Sequence, residues 1–389
     1  MSVTAPRGFV AAGTSCGIKP DGQPDLALVA TADRRPVTAA GTFTVNRAAA
    51  APVRVSREHL QTSGGKAGAV LLNSGNANAA TGPRGIDVAR HSAQLVAQQL
   101  GLHDSEVLVC STGLIGFPLP EEALYSGIEP LVAGLDQSRE SALGAARAIL
   151  TTDTVPREVV VDAGEWSVGG MAKGAAMLSP NMATMLAVLT TDASLVPGSL
   201  TRALRRAVSR TFNCLSVDGC CSTNDTVIAL ASSLGPPISE EELTEALTEA
   251  CDSLAAQMAA DAEGATRTVT IIVTGAADDS QALRAARKVA DSQLVQCSFH
   301  GADPYWGRVV SELGSAAVEF DMDRVEVAYG GVTVCSGGVA VAHDTAEVAA
   351  HVSGREVRLE ADLGLGAGRA TVRTTDLSSD YVVLNATTS

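Results

Sequence analysis

Gly169-Gly170-Met171-Ala172-Lys173-Gly174 and, after Pro180, Ala183-Thr184-Met185-Leu186-Ala187-Val188-Leu189 bracket the stretch whose reading decides the fold. The first part reads as a glycine-punctuated loop carrying one lysine. The second is an apolar run, short and bounded by turn signals, which fits a buried strand better than a helix. Thr184 is expected at the first position of that strand, after a loop able to fold back on it. A threonine hydroxyl is a weak nucleophile unless a base stands beside it. Cutting the chain just before the threonine supplies one, because it frees the residue's own α-amine. Taken alone, Thr184 reads first as a β-branched residue opening a strand.

Working outward, strand and helix signals alternate. Residues 69–72 form a short apolar strand that empties into 73–82, a loop dense in residues that tolerate positive φ. A helix over 86–100 is stopped by Gly101. Residues 107–110 are a buried strand ending in Ser111-Thr112-Gly113; 138–150 is an alanine-rich helix, and 159–161 a strand. Beyond Thr184, 200–212 reads as a basic amphipathic helix. Ser239 and Glu242 make a capping box, with Leu243, Leu247, Cys251, Leu254 and Met258 on one helical face and Gly264 as the stop. A strand over 268–273 and a helix over 280–290 follow, and Asp303-Pro304 opens another helix with proline in its first position. Residues 324–329 and 332–335, joined by Gly330-Gly331, read as a hairpin, and 357–359 and 370–374 flank a further glycine-rich turn. The pattern predicts an α/β protein with mixed, largely antiparallel sheets covered by helices. No internal repeat or long linker divides it, so the natural division is the one at 183/184.

Composition narrows the function classes. Of 389 residues 46% are hydrophobic and only 3% aromatic, so the core must be built from Ala, Val and Leu, with 37 glycines where backbones turn or meet. A net charge of −15 argues against nucleic acid or an anionic membrane as partner. The 8 cysteines contain no C-x-x-C pair and read as reduced thiols of a cytoplasmic protein. The 6 histidines lack metal-binding spacing, so no metal is expected. No run approaches the ~18 apolar residues of a membrane span.

Three segments carry candidate chemistry. The Ser111-Thr112-Gly113 turn offers backbone N–H groups and a hydroxyl that suit an oxyanion, although any strand end makes such a turn. Lys173, between Gly170 and Gly174, stands where backbone approaches a ligand closely; it reads as a carboxylate binder or a solvated loop lysine. Glu263 follows a helix C-terminus, the end whose dipole disfavours an anion. Two other polar segments, Ser222 to Thr226 and Asp303 to Arg308, are explained as well by turns and a helix start.

Together these segments resemble the ornithine acetyltransferase (glutamate N-acetyltransferase) family. The matching stretches are Leu72-Asn73-Ser74-Gly75-Asn76-Ala77-Asn78-Ala79, Cys110-Ser111-Thr112-Gly113-Leu114-Ile115-Gly116, Thr151-Thr152-Asp153-Thr154-Val155-Pro156 and Gly170-Met171-Ala172-Lys173-Gly174. They continue with Pro180-Asn181-Met182-Ala183-Thr184-Met185-Leu186, Ser222-Thr223-Asn224-Asp225-Thr226, Asp261-Ala262-Glu263-Gly264 and Asp303-Pro304-Tyr305-Trp306-Gly307-Arg308. They run in family order over essentially the whole chain.

The resemblance implies a layered fold like that of N-terminal-nucleophile hydrolases, with mixed sheets flanked by helices, self-cleaved into an α chain, 1–183, and a β chain, 184–389. The cut falls between Ala183 and Thr184. Thr184 becomes the nucleophile with its α-amine as base, and Thr112 and Gly113 the oxyanion hole. Thr151, Lys173, Thr184, Glu263 and Asn385 match substrate-binding positions. The implied reaction is ping-pong transfer of acetyl from N2-acetylornithine to glutamate, without a cofactor, and acetyl-CoA is a second donor for some members. The expected partners are amino-acid substrates and the two chains themselves, as a heterotetramer of two α and two β chains. Departures from the family's usual residues fall at Ala176, Gln296, Tyr305 and the C-terminus after Asn385. They keep open an aminopeptidase or amidohydrolase of the same fold, or a secondary-metabolite paralogue with another acceptor.

Overall fold

The computed structural model describes residues 2–178 and 185–387. The expected cut and nucleophile, Ala183 and Thr184, lie outside the described residues. Packing divides the chain into two compact units, one made mostly of residues up to Met258 and the other of the chain from Ala259 with the short segment Cys214–Cys220. This boundary of packing is separate from the covalent one expected at 183/184.

The first unit contains strands β1 (Phe9–Thr14), β2 (Leu26–Thr31), β3 (Val37–Phe43), β4 (Lys66–Ala67) and β5 (Ala69–Asn73). It continues with β6 (Val107–Ser111), β7 (Arg157–Asp162), β8 (Ser167–Lys173), β9 (Leu186–Thr191) and β10 (Thr226–Ala231). Its helices are α1 (Ala51–Thr62), α2 (Gly82–Leu100), α3 (Glu121–Ala133), α4 (Arg139–Ala148), α5 (Ser199–Arg210) and α6 (Glu240–Ala260). One sheet has the order β1-β2-β5-β6 and the other β4-β3-β10-β9-β8-β7. Both are mixed: β5 and β6 run parallel, as do β9 and β10, while the other pairs are antiparallel.

Strands β2, β5, β6, β9 and β10 are buried along their whole length, which explains why they read as unbroken apolar runs. Alternate residues serve two cores. Ala27, Val29, Val70, Leu72 and Leu108 of one sheet meet Met171, Leu186, Val188, Ile228 and Leu230 of the other. On the outer face of the first sheet, Leu26, Leu28, Leu71, Val107 and Val109 pack with Val88, Val96, Leu124 and Ile128 of α2 and α3. Helix α5 packs on β3 and β10, and Leu254 of α6 lies beside Gly170 of β8. The result is a layered arrangement of mixed sheets flanked by helices, as expected, with two sheets face to face between the helices. Along the edge strand β6, Ser56 Oγ of α1 donates to the Val109 carbonyl at 2.7 Å and accepts from the Val109 N–H at 2.8 Å, covering an edge that would otherwise be open.

Several local readings hold. Gly101 ends α2 at φ 71°, the alanine-rich segment forms α4, and Ser239 and Glu242 exchange capping hydrogen bonds at 2.8 and 3.2 Å. One local reading is corrected: Gly169, Gly170 and Lys173 belong to strand β8, not to a loop. A Cβ on Gly169 would lie 2.0 Å from the Ser2 carbonyl oxygen, and one on Gly170 2.7 Å from Leu189. These glycines permit close approach within the sandwich, a role that sequence punctuation does not separate from a turn.

The second unit contains β11 (Thr268–Ala276), α7 (Asp279–Ala290), α8 (Gln293–His300), α9 (Trp306–Gly314), β12 (Glu326–Tyr329), β13 (Val332–Ser336) and β14 (Val339–Ala340). It ends with α10 (Thr345–Val352), β15 (Glu356–Asp362), β16 (Gly368–Thr375) and α11 (Ser379–Leu384). The strand order is β14-β13-β12-β15-β11-β16. The β12–β13 hairpin turns on Gly330 and Gly331, at φ 60° and 88°. The strands flanking the later glycine turn are not a hairpin, because β11 lies between β15 and β16. The glycine segment instead hooks over the end of β11, where the Leu365 and Gly366 N–H groups donate to the Gly275 carbonyl. Helix α9 begins at Trp306, two residues later than the proline signal suggested. Among the described residues no helix is long and apolar enough to cross a membrane.

Candidate active site

The first unit gathers Thr112, Gly113, Thr151 and Lys173. Lys173 is the last residue of β8 and only 2% exposed. Its ammonium donates to Thr151 Oγ1 at 2.6 Å and Thr112 Oγ1 at 3.3 Å, and lies 3.5 Å from Asp153 Oδ2. This is a buried cation with three acceptors, and the solvated-lysine reading is excluded. An ammonium has three protons and no lone pair, so both threonine hydroxyls must turn their own protons elsewhere. Among the described residues no acceptor takes the Thr112 hydroxyl proton.

Behind Lys173 stands Asp153, with its side chain fully buried. Its Oδ1 accepts from the Gly174 N–H at 2.7 Å and pairs with the buried Arg157 guanidinium; its Oδ2 accepts from the Thr151 N–H at 3.0 Å. Burial alone would raise its pKa. The Lys173 and Arg157 charges and these hydrogen bonds outweigh burial and hold the carboxyl well below the usual range. Asp225 in the same unit is the opposite case. It is buried beside the chain at Met185, whose N–H donates to its Oδ1 at 2.9 Å. Burial raises it well above the usual value, and the Met185 and Ser222 contacts and the Lys173 charge offset this only in part.

The turn at Thr112 and Gly113 is held by a scaffold of asparagines. The Thr112 N–H donates to the Asn73 carbonyl at 3.0 Å, and Ser111 Oγ to Asn73 Oδ1 at 2.6 Å. Asn224 Nδ2 bridges the Ala77 and Ser111 carbonyls at 2.6 and 2.8 Å. Gly113 sits at φ 128° with its backbone against the neighbouring loop; a Cβ there would fall 2.3 Å from the Gly75 carbonyl carbon. The Gly113 N–H donates to no described group within hydrogen-bond distance. The sequence flagged Thr112 and Lys173 but gave Asn73, Asn224 and Asp153 no role. Each reaches a segment remote in sequence, Asn73 the Ser111 hydroxyl, Asn224 the Ala77 and Ser111 carbonyls and Asp153 the Gly174 N–H, which no local pattern encodes.

Glu263 and Asn385 meet in the second unit. Asn385 Nδ2 donates to Glu263 Oε2 at 2.8 Å and to the Tyr381 carbonyl at 3.0 Å. The adjacent Gly264 abuts α11 so closely that a Cβ would be 2.3 Å from the Tyr381 nitrogen. Tyr381 in turn donates its hydroxyl to Asp218 Oδ2 at 3.2 Å. Gln296 is a buried structural residue, its Nε2 donating to the Val217 and Ala290 carbonyls at 2.8 and 3.0 Å. Tyr305 is 55% exposed, with the Arg308 guanidinium 5.9 Å from its ring centre.

The ArgJ family model matches residues 10–389. The arginine biosynthesis bifunctional protein ArgJ of Streptomyces avermitilis is 48% identical over 388 residues, covering 99% of each chain. That of Mycobacterium leprae is 47% identical over 397 residues, covering 99% of this chain and 95% of its own. A solved structure, ornithine acetyltransferase of Mycobacterium tuberculosis complexed with ornithine, is 45% identical, covers 46% of this chain and 94% of its own, and has a TM-score of 0.44. With a full-length match at this identity, the chain belongs to the ArgJ family.

Proposed function

We propose that this protein is a self-processing glutamate N-acetyltransferase of arginine biosynthesis, cut between Ala183 and Thr184 into chains 1–183 and 184–389. The carrying observation is the donor pair at Thr112 and Gly113: a hydroxyl proton and an N–H without described acceptors, with a buried ammonium 3.3 Å behind the hydroxyl oxygen. Fixed donors of this kind stabilise charge that develops in a transition state without reorganising.

In this reading the freed α-amine of Thr184, with an ordinary pKa of about 7.7–8.0, takes the proton from Thr184 Oγ as that oxygen attacks the acetyl carbonyl of N2-acetylornithine. The carbonyl oxygen becomes an oxyanion received by Thr112 and Gly113. The ammonium returns its proton to the leaving nitrogen, ornithine departs, and an acetyl–threonine ester remains. The amine of glutamate then attacks the ester through the same intermediate and restores the enzyme. Both substrates carry an α-carboxylate, so one positive region serves both half-reactions: Lys173, whose protons stay with Thr151, Thr112 and Asp153, attracts the carboxylate by its charge, beside the Thr151 hydroxyl. Glu263, oriented by Asn385, pairs with the ornithine side-chain ammonium. No cofactor takes part, and acetyl-CoA is a candidate second donor. The working form is a cytoplasmic assembly of two α and two β chains.

The test is incubation with N2-acetylornithine, with and without glutamate. Acetylglutamate formed only with both substrates supports transfer. Stoichiometric free acetate and ornithine without glutamate would replace it with the hydrolase reading.

A further inference from the structure

We propose that Asp153 is a positioning residue for this reaction, aiming Lys173 and Thr151 at the substrate side of the first unit. The inference rests on the proposed role of Lys173 and deepens it. Asp153 lies in the 151–156 motif yet offers no free oxygen to a ligand. Its Oδ1 is held by Arg157 and the Gly174 N–H, and its Oδ2 faces the Thr151 N–H and the Lys173 ammonium. One side chain therefore ties together two segments distant in sequence, the turn after α4 and the end of β8.

The consequence concerns hydrogen-bond direction. Lysine carries its charge on a flexible four-carbon stem, so a buried lysine points wherever its acceptors are fixed. Asp153 fixes one of those directions by its charge. It fixes a second through the Thr151 N–H, which sets where the Thr151 hydroxyl stands. The remaining proton of Lys173 is then directed to Thr112 Oγ1, and the Thr112 hydroxyl proton is turned outward. Asp153 thus acts on the oxyanion donor through Lys173, without touching substrate. The competing explanation is purely structural: Asp153 neutralises the fully buried Arg157, as any buried cation requires.

The double variant Asp153→Asn/Arg157→Met separates the two, because it removes the carboxylate together with the cation that the structural explanation has it neutralise, and leaves Lys173 in place. With melting retained, positioning predicts a loss of kcat/KM of about 10²-fold, the scale of one oxyanion donor. Adding Lys173→Ala to that background should then cost less than about threefold more, since residues acting as one unit are not additive. Activity within about threefold of wild type, or an undiminished further loss from Lys173→Ala, would overturn the proposal. A crystal structure of the double variant reads the same claim without activity: Lys173 Nζ should leave Thr112 Oγ1. If it stays within hydrogen-bond distance of both Thr112 and Thr151, Asp153 is structural only. Should the double variant not fold, the single variant Thr151→Val must lower kcat/KM at least about tenfold, on the same reasoning, with unchanged melting; wild-type activity there overturns the proposal. Absence of acetyl transfer by the wild-type protein would instead refute the proposed function, and the crystallographic arm still decides the positioning claim.

Discussion

Lys173 Nζ lies 3.3 Å from Thr112 Oγ1, and both side chains are buried. A threonine hydroxyl backed by an ammonium has one of its two lone pairs occupied and its proton turned away from the ammonium, the polarity an oxyanion donor needs. Thr112→Val keeps the shape and removes the proton. It should lower kcat by 10²–10³-fold with little change in KM, read by steady-state kinetics on folded protein. An unchanged kcat would remove Thr112 from the transition state.

Gly113 should not tolerate a side chain. At its φ of 128° a Cβ would come within 2.3 Å of the Gly75 carbonyl carbon, which puts a backbone, not a pliable side chain, in the way. Gly113→Ala should cost about 1–3 kcal/mol in chemical denaturation and abolish most activity. Wild-type stability and activity together would mean that the turn relaxes freely.

Asp225 makes a pH prediction of definite sign. Its folded-state pKa is raised by burial, so the unfolded chain ionises first as pH climbs past the ordinary value of 3.8. Above that value the unfolded state binds fewer protons, and stability falls with rising pH through the window between the two pKa values. Asp225→Asn, which keeps an oxygen for the Met185 N–H, should therefore melt higher than wild type at neutral pH, with the gain shrinking toward pH 4. A gain that grows on acidification would contradict the assignment. Asp153, with its depressed pKa, contributes in the opposite sense: its stabilisation is present above the ordinary carboxylate pKa and lost in acid.

The Glu263–Asn385 contact of 2.8 Å predicts discrimination between substrates. Glu263→Gln removes the charge proposed to meet the ornithine ammonium. KM for N2-acetylornithine should rise about tenfold or more, in line with loss of a charge-assisted hydrogen bond, while KM for glutamate changes less. Equal effects on both would place Glu263 elsewhere in the mechanism.

Much of this arrangement was legible in the sequence, for reasons that differ by segment. Strands such as β5, β6 and β9 announce themselves because both faces are buried, and Gly101 and Ser239 act through bonds within their own helix ends. Lys173 was misplaced onto a loop because Gly169 and Gly170 make room for Ser2 and Leu189, contacts that no local pattern encodes. The strand order β15-β11-β16 was hidden for a similar reason: a glycine turn shows where the chain bends, not which strand fills the gap. Asn224 is visible in the sequence only within a turn-forming segment, and Asp153 only within a matching stretch, since their partners include the Ala77 and Ser111 carbonyls and the Gly174 N–H, far away in the chain.

The central claim is that Thr184 carries the acetyl group after the chain is cut before it. Intact-mass measurement after incubation with N2-acetylornithine alone tests this most directly. The account predicts two fragments, with 184–389 heavier by one acetyl group that glutamate removes. A single uncut, unmodified chain in protein that transfers acetyl would contradict it.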